Sequence, residues 1–191
     1  MLLVLAGPSG AGKGTVGRRL LDREPRLWFS VSANTRPPRP GEVDGVDYHF
    51  VSREEFERLA ADGGFLEWFE VFGDLKGTPR GPVEEHLAAG DDVLVEVDVQ
   101  GALAVKEAFP EAVLVFLRPP SREVQRDRLR ARDEASPGFD EAAFERRLAE
   151  AEAEESLADR FDHVVVNDEL ERAVDAVAAI LSAHRSRPHA P

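Results

Sequence analysis

LAGPSGAGKGT, Leu5 to Thr15, sets Gly7, Gly10, Gly12 and Gly14 within eight residues, straight after the apolar run MLLVLA and straight before TVGRRLLDR, whose apolar residues recur at helical spacing. The order is therefore strand, glycine loop, helix. Gly7-Pro8-Ser9-Gly10-Ala11-Gly12-Lys13 fits G-x-x-x-x-G-K. In that pattern glycines let successive backbone N–H groups turn inward around phosphate oxygens, the lysine reaches the outer phosphates, and the helix adds its positive end. A Gly-rich turn with a solvated lysine is the bland alternative, and the strand-to-helix context argues against it. The position after the lysine, where a hydroxyl usually meets Mg²⁺, is Gly14, and the hydroxyl comes one residue later in Thr15. Metal contact is therefore expected mostly through water. The loop predicts a nucleoside triphosphate donor and leaves the acceptor open.

The rest of the chain repeats the strand and helix alternation. WFSVS (28–32), DYHFV (47–51) and FLEWFEVFG (65–73) read as strands, and REEFERLAADG (53–63) and RGPVEEHLAAG (80–90) as helices. DVLVEVD (92–98) and AVLVFL (112–117) have the β-branched richness of central parallel strands, with a helix between them. A long charged helix from about 140 to 158, a strand at HVVVN (163–167) and a helix over 169–184 close the chain. The alternation predicts an α/β domain with a parallel sheet covered by helices on both faces. Ligands in such sheets sit at the carboxyl ends of the strands, where the glycine loop, Asp98 and Asn167 would emerge.

Composition narrows the partners. Thirty-seven acidic against 24 basic residues give a net charge of −13, which disfavours nucleic acid and anionic membranes. With no cysteine there are no disulfides or thiolate metal sites, and the N-terminal apolar stretch is too short for a signal or a membrane span. A cytoplasmic protein with small-molecule partners is expected, its oligomeric state open. Any basic site must be local. Arg36 and Arg39 lie three apart across Pro-Pro, in a stiff segment that lowers the entropy lost when both guanidinium forks close on one anion. Arg128, Arg130, Arg132 and Arg147 bracket the breaker Pro137-Gly138. Phosphate accounts for such a cluster better than solubility does, except at Arg130, where ion pairing with the acidic helices is the preferred reading.

These segments together resemble the guanylate kinases. SANTRPPRPGEVDGVDYHFV (32–51) is similar to that family's GMP-binding segment, and FLEWFEVFGDLKGT, VLVEVDVQG, RLRAR and VVVND follow in the family's order, covering about residues 2–185. The resemblance implies a P-loop NTPase-type core (1–32, 80–127 and 157–185), a GMP-binding excursion (about 33–79) and a mobile lid (about 128–150), with 186–191 a disordered tail. It implies an Mg²⁺-dependent transfer of the γ-phosphoryl group of ATP to GMP or dGMP. Gly7 to Thr15 and Asn167 would bind ATP. Ser32, Arg36, Arg39, Glu42, Tyr48, Glu67, Lys76, Thr78 and Asp98 would bind GMP. Lys13, Arg36, Arg128, Arg132 and Arg147 would be catalytic, and Thr15 and Asp98 would reach the metal through water.

The purine edge supports this independently. Guanine offers N1–H and a 2-amino group as donors and O6 as acceptor, so it suits a carboxylate on one edge and hydroxyl donors on another. Adenine has the opposite pattern and would leave such a carboxylate unpaired. For Asp98, contact with guanine and ordering of metal-bound water both stand open. The chain also departs from the family. Asp74-Leu75-Lys76-Gly77 stands where relatives carry an N-Y-Y-G-type stretch with a second phosphate-binding tyrosine. Lys76 could replace the hydroxyl with a charge-assisted contact or point to solvent, and contact is the preferred reading. Asp133 replaces the usual glycine after Arg132, and the loop to Arg147 is a few residues longer. Rival readings are a P-loop kinase for AMP or a ribose bisphosphate, and a guanylate-kinase-like module that binds phosphopeptides. The intact Lys13 argues against the module.

Overall fold

The computed structural model describes residues 1–39, 41–71, 73–134 and 140–185. Five strands form an all-parallel sheet: β1 (Leu2–Ala6), β2 (Leu27–Phe29), β7 (Asp92–Glu96), β8 (Val113–Arg118) and β9 (His163–Val166), in the order β2-β7-β1-β8-β9. Their side chains sort by parity because successive residues point to opposite faces. Leu2, Val4 and Ala6 enter one apolar cluster with Val93, Val95, Leu114 and Phe116, while Leu3 and Leu5 enter the other with Leu94, Val115 and Leu117. Both faces are thus covered, as the unbroken apolar runs predicted. Helices α1 (Lys13–Arg23) and α7 (Leu170–Arg185) supply Val16, Leu20, Val174, Val177 and Leu181 to the second cluster. Helices α3 (Arg80–Ala88) and α4 (Val99–Ala108) cover the first.

A second sheet stands beside this core. It joins β3 (Ala33–Asn34), β4 (His49–Phe50), β5 (Phe65–Val71) and β6 (Asp74–Pro79) in the order β4-β3-β6-β5, antiparallel except for the β3–β4 pair. Helix α2 (Arg53–Ala61), capped by Ser52 Oγ accepting from Glu55 N at 3.1 Å, packs Phe56 on Phe65 and Leu75 beneath it. Two sequence expectations change here. WFSVS is not one strand: Ser30 N still donates to Leu94 O, but the chain then crosses to the second sheet at Ala33. DLKGTP, which carries no β-branched run, is a strand because it pairs with β5 in a hairpin, and Gly77 lets it lie close. A Cβ at Gly77 would come within 2.7 Å of Trp68 Cβ and 2.9 Å of Glu67 O.

Two charged helices, α5 (Arg122–Glu134) and α6 (Glu141–Glu155), follow β8. Arg126–Glu145, Arg122–Glu152 and Arg130–Glu141 pair across them, so Arg130 makes the ion pair expected of it. Residues 135–139 and the expected disordered tail at 186–191 lie outside the described residues. No described helix is long and apolar enough to cross a membrane.

Candidate active site

The glycine loop leaves β1 at the carboxyl end of the sheet and opens α1. Two of its glycines are fixed by close approach. Gly7, at φ 146°, has Leu117 O 2.2 Å from where a Cβ would sit, and Gly12, at φ 93°, has Asn167 Nδ2 at 2.4 Å. Lys13 Nζ curls back onto Gly7 O at 2.6 Å. Gln125 Nε2 donates to Ser9 O at 2.8 Å, and Asn167 Nδ2 to Ala11 O at 2.7 Å, so side chains from α5 and the end of β9 brace the loop. Pro8, Ser9, Gly10, Gly12, Gly14 and Thr15 border a cavity of about 900 Å³, along with Arg18, Arg128, Arg132, Asn167 and Glu96.

Glu96 lines the same cavity, and the sequence reading did not single it out. Its carboxylate oxygens lie 3.7–3.8 Å from where a Cβ on Gly14 would be and 3.4 Å from one on Gly17. Burial pushes its carboxyl above the ordinary range, opposed by Lys13, Lys76 and Arg18. Burial likewise lowers the Lys13 ammonium, opposed by Glu96 and Glu154. The sequence carried only a partial signal: Glu96 is a charged residue within the apolar run VLVEV (93–97), two positions before Asp98.

Asp98 itself sits at the start of α4, where Oδ1 accepts from Gly101 N at 2.7 Å and caps the helix. A Cβ at Gly101 would meet Asp98 Oδ1 at 3.2 Å and Glu67 Oε2 at 3.3 Å, so the glycine lets both carboxylates converge. Glu67 on β5 faces Thr78 on β6, whose hydroxyl donates to Oε1 at 2.5 Å. Ser32, Glu67 and Thr78 are all buried polar residues, at 8%, 8% and 0% exposure. Desolvation raises the Glu67 carboxyl, and the Thr78 hydroxyl opposes the rise.

Arg36 lies between Tyr48 and Glu42. Its guanidinium is 5.0 Å from the Tyr48 ring centroid and makes a two-pronged pair with Glu42, 2.6 Å on each prong. That pairing, with Arg39 N donating to Glu42 Oε2 at 2.7 Å, holds the Glu42 carboxyl down at about 2. Arg39 is exposed. Lys76 Nζ stands 5.5 Å from the centroid of the same Tyr48 ring.

The three arginines expected over the donor are brought to one end of the cleft in different states. Arg128 Nη2 donates to Asn167 O at 3.2 Å, while its buried Nη1 has no hydrogen-bond partner among the described residues. Arg147 Nη1 donates to Asp133 Oδ2 at 2.6 Å, and Arg132 Nε to Asp133 Oδ1 at 3.3 Å. Asp133, where a glycine was the family expectation, thus binds two of them. Asn167 lines the cavity, but its amide nitrogen is committed to the loop.

The family model described as Guanylate kinase matches residues 1–184. The guanylate kinase of Gloeobacter violaceus is 57% identical over 180 residues, covering 94% of this chain and 86% of that protein. That of Thermus thermophilus is 55% identical over 186 residues, covering 97% and 82%. Among solved structures, the crystal structure of guanylate kinase from Anaplasma phagocytophilum superimposes with a TM-score of 0.80 at 37% identity, over 98% of this chain and 87% of that one.

Proposed function

The chain belongs to the guanylate kinase family, which phosphorylates GMP at the expense of ATP, and on that premise we propose how its own residues divide the work. An oxygen of the GMP phosphate forms a bond to the γ-phosphorus of ATP while the bond from that phosphorus to the β,γ-bridging oxygen breaks, leaving GDP and ADP. The acceptor already carries a nucleophilic oxygen, so no strong base is needed. Catalysis is positioning and charge neutralisation.

Residues 7–15 cradle the donor phosphates, with Lys13 on the outer ones. Arg128 offers its buried Nη1, unpartnered among the described residues, to the same phosphates, and Arg132 and Arg147 exchange Asp133 for phosphate as the lid region, about 128–150, approaches. The excursion at about 33–79 holds GMP. Arg36, oriented by Glu42 and Tyr48, and Arg39 take its phosphate, while Glu67 accepts from the N1 and 2-amino protons of guanine and Ser32 and Thr78 complete the edge.

Mg²⁺ fits the donor end. The Thr15 hydroxyl and the Glu96 carboxylate border one cavity, and such oxygen donors suit a hard cation that takes few protein ligands and completes its shell with phosphates and water. Among the described residues no cluster of three acidic or histidine side chains would hold a metal alone, which agrees with a cation that arrives with its nucleotide. When bound it would neutralise donor-phosphate charge. Asp98 capping α4 beside Glu67 supports a place on the guanine side for that residue.

The observation that carries the assignment is the buried Glu67–Thr78 pair, a carboxylate placed to accept from the donor edge of a base. A coupled assay with ATP against GMP, dGMP, AMP, UMP and CMP tests it. Selective turnover of GMP and dGMP is expected, and preference for AMP would remove the roles given to Glu67 and Thr78.

A further inference from the structure

On α5, Leu129 is fully buried and packs beneath the glycine loop, its Cγ 3.0 Å from where a Cβ on Gly10 would sit. Asp133 follows one helical turn later, so its carboxylate falls on the same inward face, where the residue is 8% exposed. Arg147 meets it from α6, whose own inward face is marked by the buried Phe144 and Ala151, one turn to either side. Arg147 Nη1 donates to Asp133 Oδ2 at 2.6 Å, and Arg132 Nε to Oδ1 at 3.3 Å. Arg128 and Arg132 border the donor cavity, whereas Arg147 does not. The carboxylate thus holds the lid arginine that the cavity lacks. Its grip on Arg147 is one-pronged, unlike the fork between Glu42 and Arg36, and a phosphate that offers more oxygens can displace it.

We infer that Asp133 is a positioning residue that withholds Arg147 from the donor phosphates until the acceptor's phosphate has joined them. The inference rests on the reading of residues 7–15 as the donor site and of Arg147 as a lid arginine. A buried carboxylate and a nucleotide's phosphates compete for one guanidinium, and the balance follows the charge on each side. Donor phosphates alone meet Lys13 and Arg128, and Arg147 stays on Asp133. The acceptor's phosphate adds negative charge to the cleft, and Arg147 then leaves the carboxylate for it. Protection of the donor is the consequence. With no acceptor bound, an arginine over the γ-phosphoryl group would stabilise its transfer to water: a water oxygen bonds to the γ-phosphorus, the bond to the β,γ-bridging oxygen breaks, and ADP, inorganic phosphate and a proton are released. A glycine at position 133 would offer Arg147 no competing anion.

Hydrolysis of ATP with no acceptor present, and calorimetric titration of a non-hydrolysable ATP analogue, test this in the wild type, Asp133→Asn, Asp133→Gly, Arg147→Ala and the double variant of Asp133→Asn with Arg147→Ala. Asp133→Asn keeps the shape and gives up the charge. It is expected to raise both the hydrolysis rate and the affinity for the analogue about 3- to 10-fold, between the scale of an exposed ion pair and that of a hydrogen bond to a charged group. Asp133→Gly removes the carboxylate altogether and should give the same gain, which damage to the fold cannot supply. In the Arg147→Ala background, Asp133→Asn should change neither quantity. Absence of either gain would make Asp133 a structural partner of the two helices, and lost affinity would make it a group that aims the arginines. Either result overturns the inference, as does a gain that persists without Arg147. Wild-type protein that fails to bind the analogue would instead overturn the donor reading itself, before any variant is compared.

Discussion

Asn167 Nδ2 donates to the carbonyl oxygen of Ala11 at 2.7 Å, so a residue 156 positions further along the chain closes the glycine loop. The contact is buried, and Gly12 has no Cβ because Asn167 occupies its place, 2.4 Å away. Asn167→Asp would set a carboxylate oxygen against a carbonyl oxygen, where neither can donate. Loss of a buried hydrogen bond with its acceptor left unpaired costs about 1–3 kcal/mol. Asn167→Asp is therefore expected to lower the thermal midpoint by several degrees and raise the KM for ATP about tenfold or more, with the KM for GMP little changed. Paired denaturation and initial-rate measurements check it.

Convergence of Glu67 and Asp98 on Gly101 gives a second outcome. A methyl at Gly101 would sit 3.1 Å from Val97 Cβ, 3.2 Å from Asp98 Oδ1 and 3.3 Å from Glu67 Oε2, tighter than ordinary contact with all three. Gly101→Ala should displace Glu67 from Thr78 and reduce kcat/KM for GMP about 10- to 100-fold, on the scale of one misplaced charged contact, while ATP affinity stays near wild type. Measured ATP affinity falling in parallel with GMP would locate the damage in the sheet rather than the pocket.

What was legible in the sequence divides along physical lines. The central sheet could be read because its inner strands β7, β1 and β8 are buried on both faces and so carry unbroken apolar runs, as in LLVLA and VLVFL. Loop glycines were legible because close approach of Leu117 O and Asn167 excludes every side chain. DLKGTP was not read as a strand, since what holds it is its pairing to β5 and the room left by Gly77, neither of which local composition reports. Glu96 was passed over for a similar reason. Its importance lies in facing Gly14 and Lys13, a relation that exists only once β7 and β1 pair in register. Asp133 was noticed as a departure, but that it binds Arg147 depends on how α5 meets α6.

Glu42, expected among the GMP-binding residues, holds the Arg36 guanidinium in a two-pronged pair. The two-pronged pair holds its carboxyl at about 2, below its usual value near 4.5. For a carboxylate with a depressed pKa, the stabilisation is complete above the unfolded value and is lost as pH falls through the folded one. The stability the bridge contributes should thus be complete across neutral pH and decline between about 4.5 and about 2, the folded-state pair itself opening only near the lower value. Glu42→Gln is expected to raise the KM for GMP about 3- to 30-fold, because Arg36 keeps its charge but loses its fixed angle. The KM measured between pH 6 and 8 should show the same ratio of variant to wild type throughout.

Glu154, on α6, titrates in the opposite sense. Burial raises its carboxyl from 4.5 to about 7, against the attraction of Lys13 and with added repulsion from Asp98 and Glu150. A folded-state carboxyl pKa above the unfolded one means that the native protein binds the proton more tightly. Stability is greatest below about 4.5, declines as pH rises through the interval to about 7, and is flat above it. The cost at high pH is at most about 3 kcal/mol. Glu154→Gln removes the ionising group while keeping its shape, so it should raise the thermal midpoint at pH 8 and leave it unchanged at pH 4. Urea denaturation of both proteins at the two pH values measures this, and equal stability at pH 8 would show that Lys13 already compensates the buried charge in full.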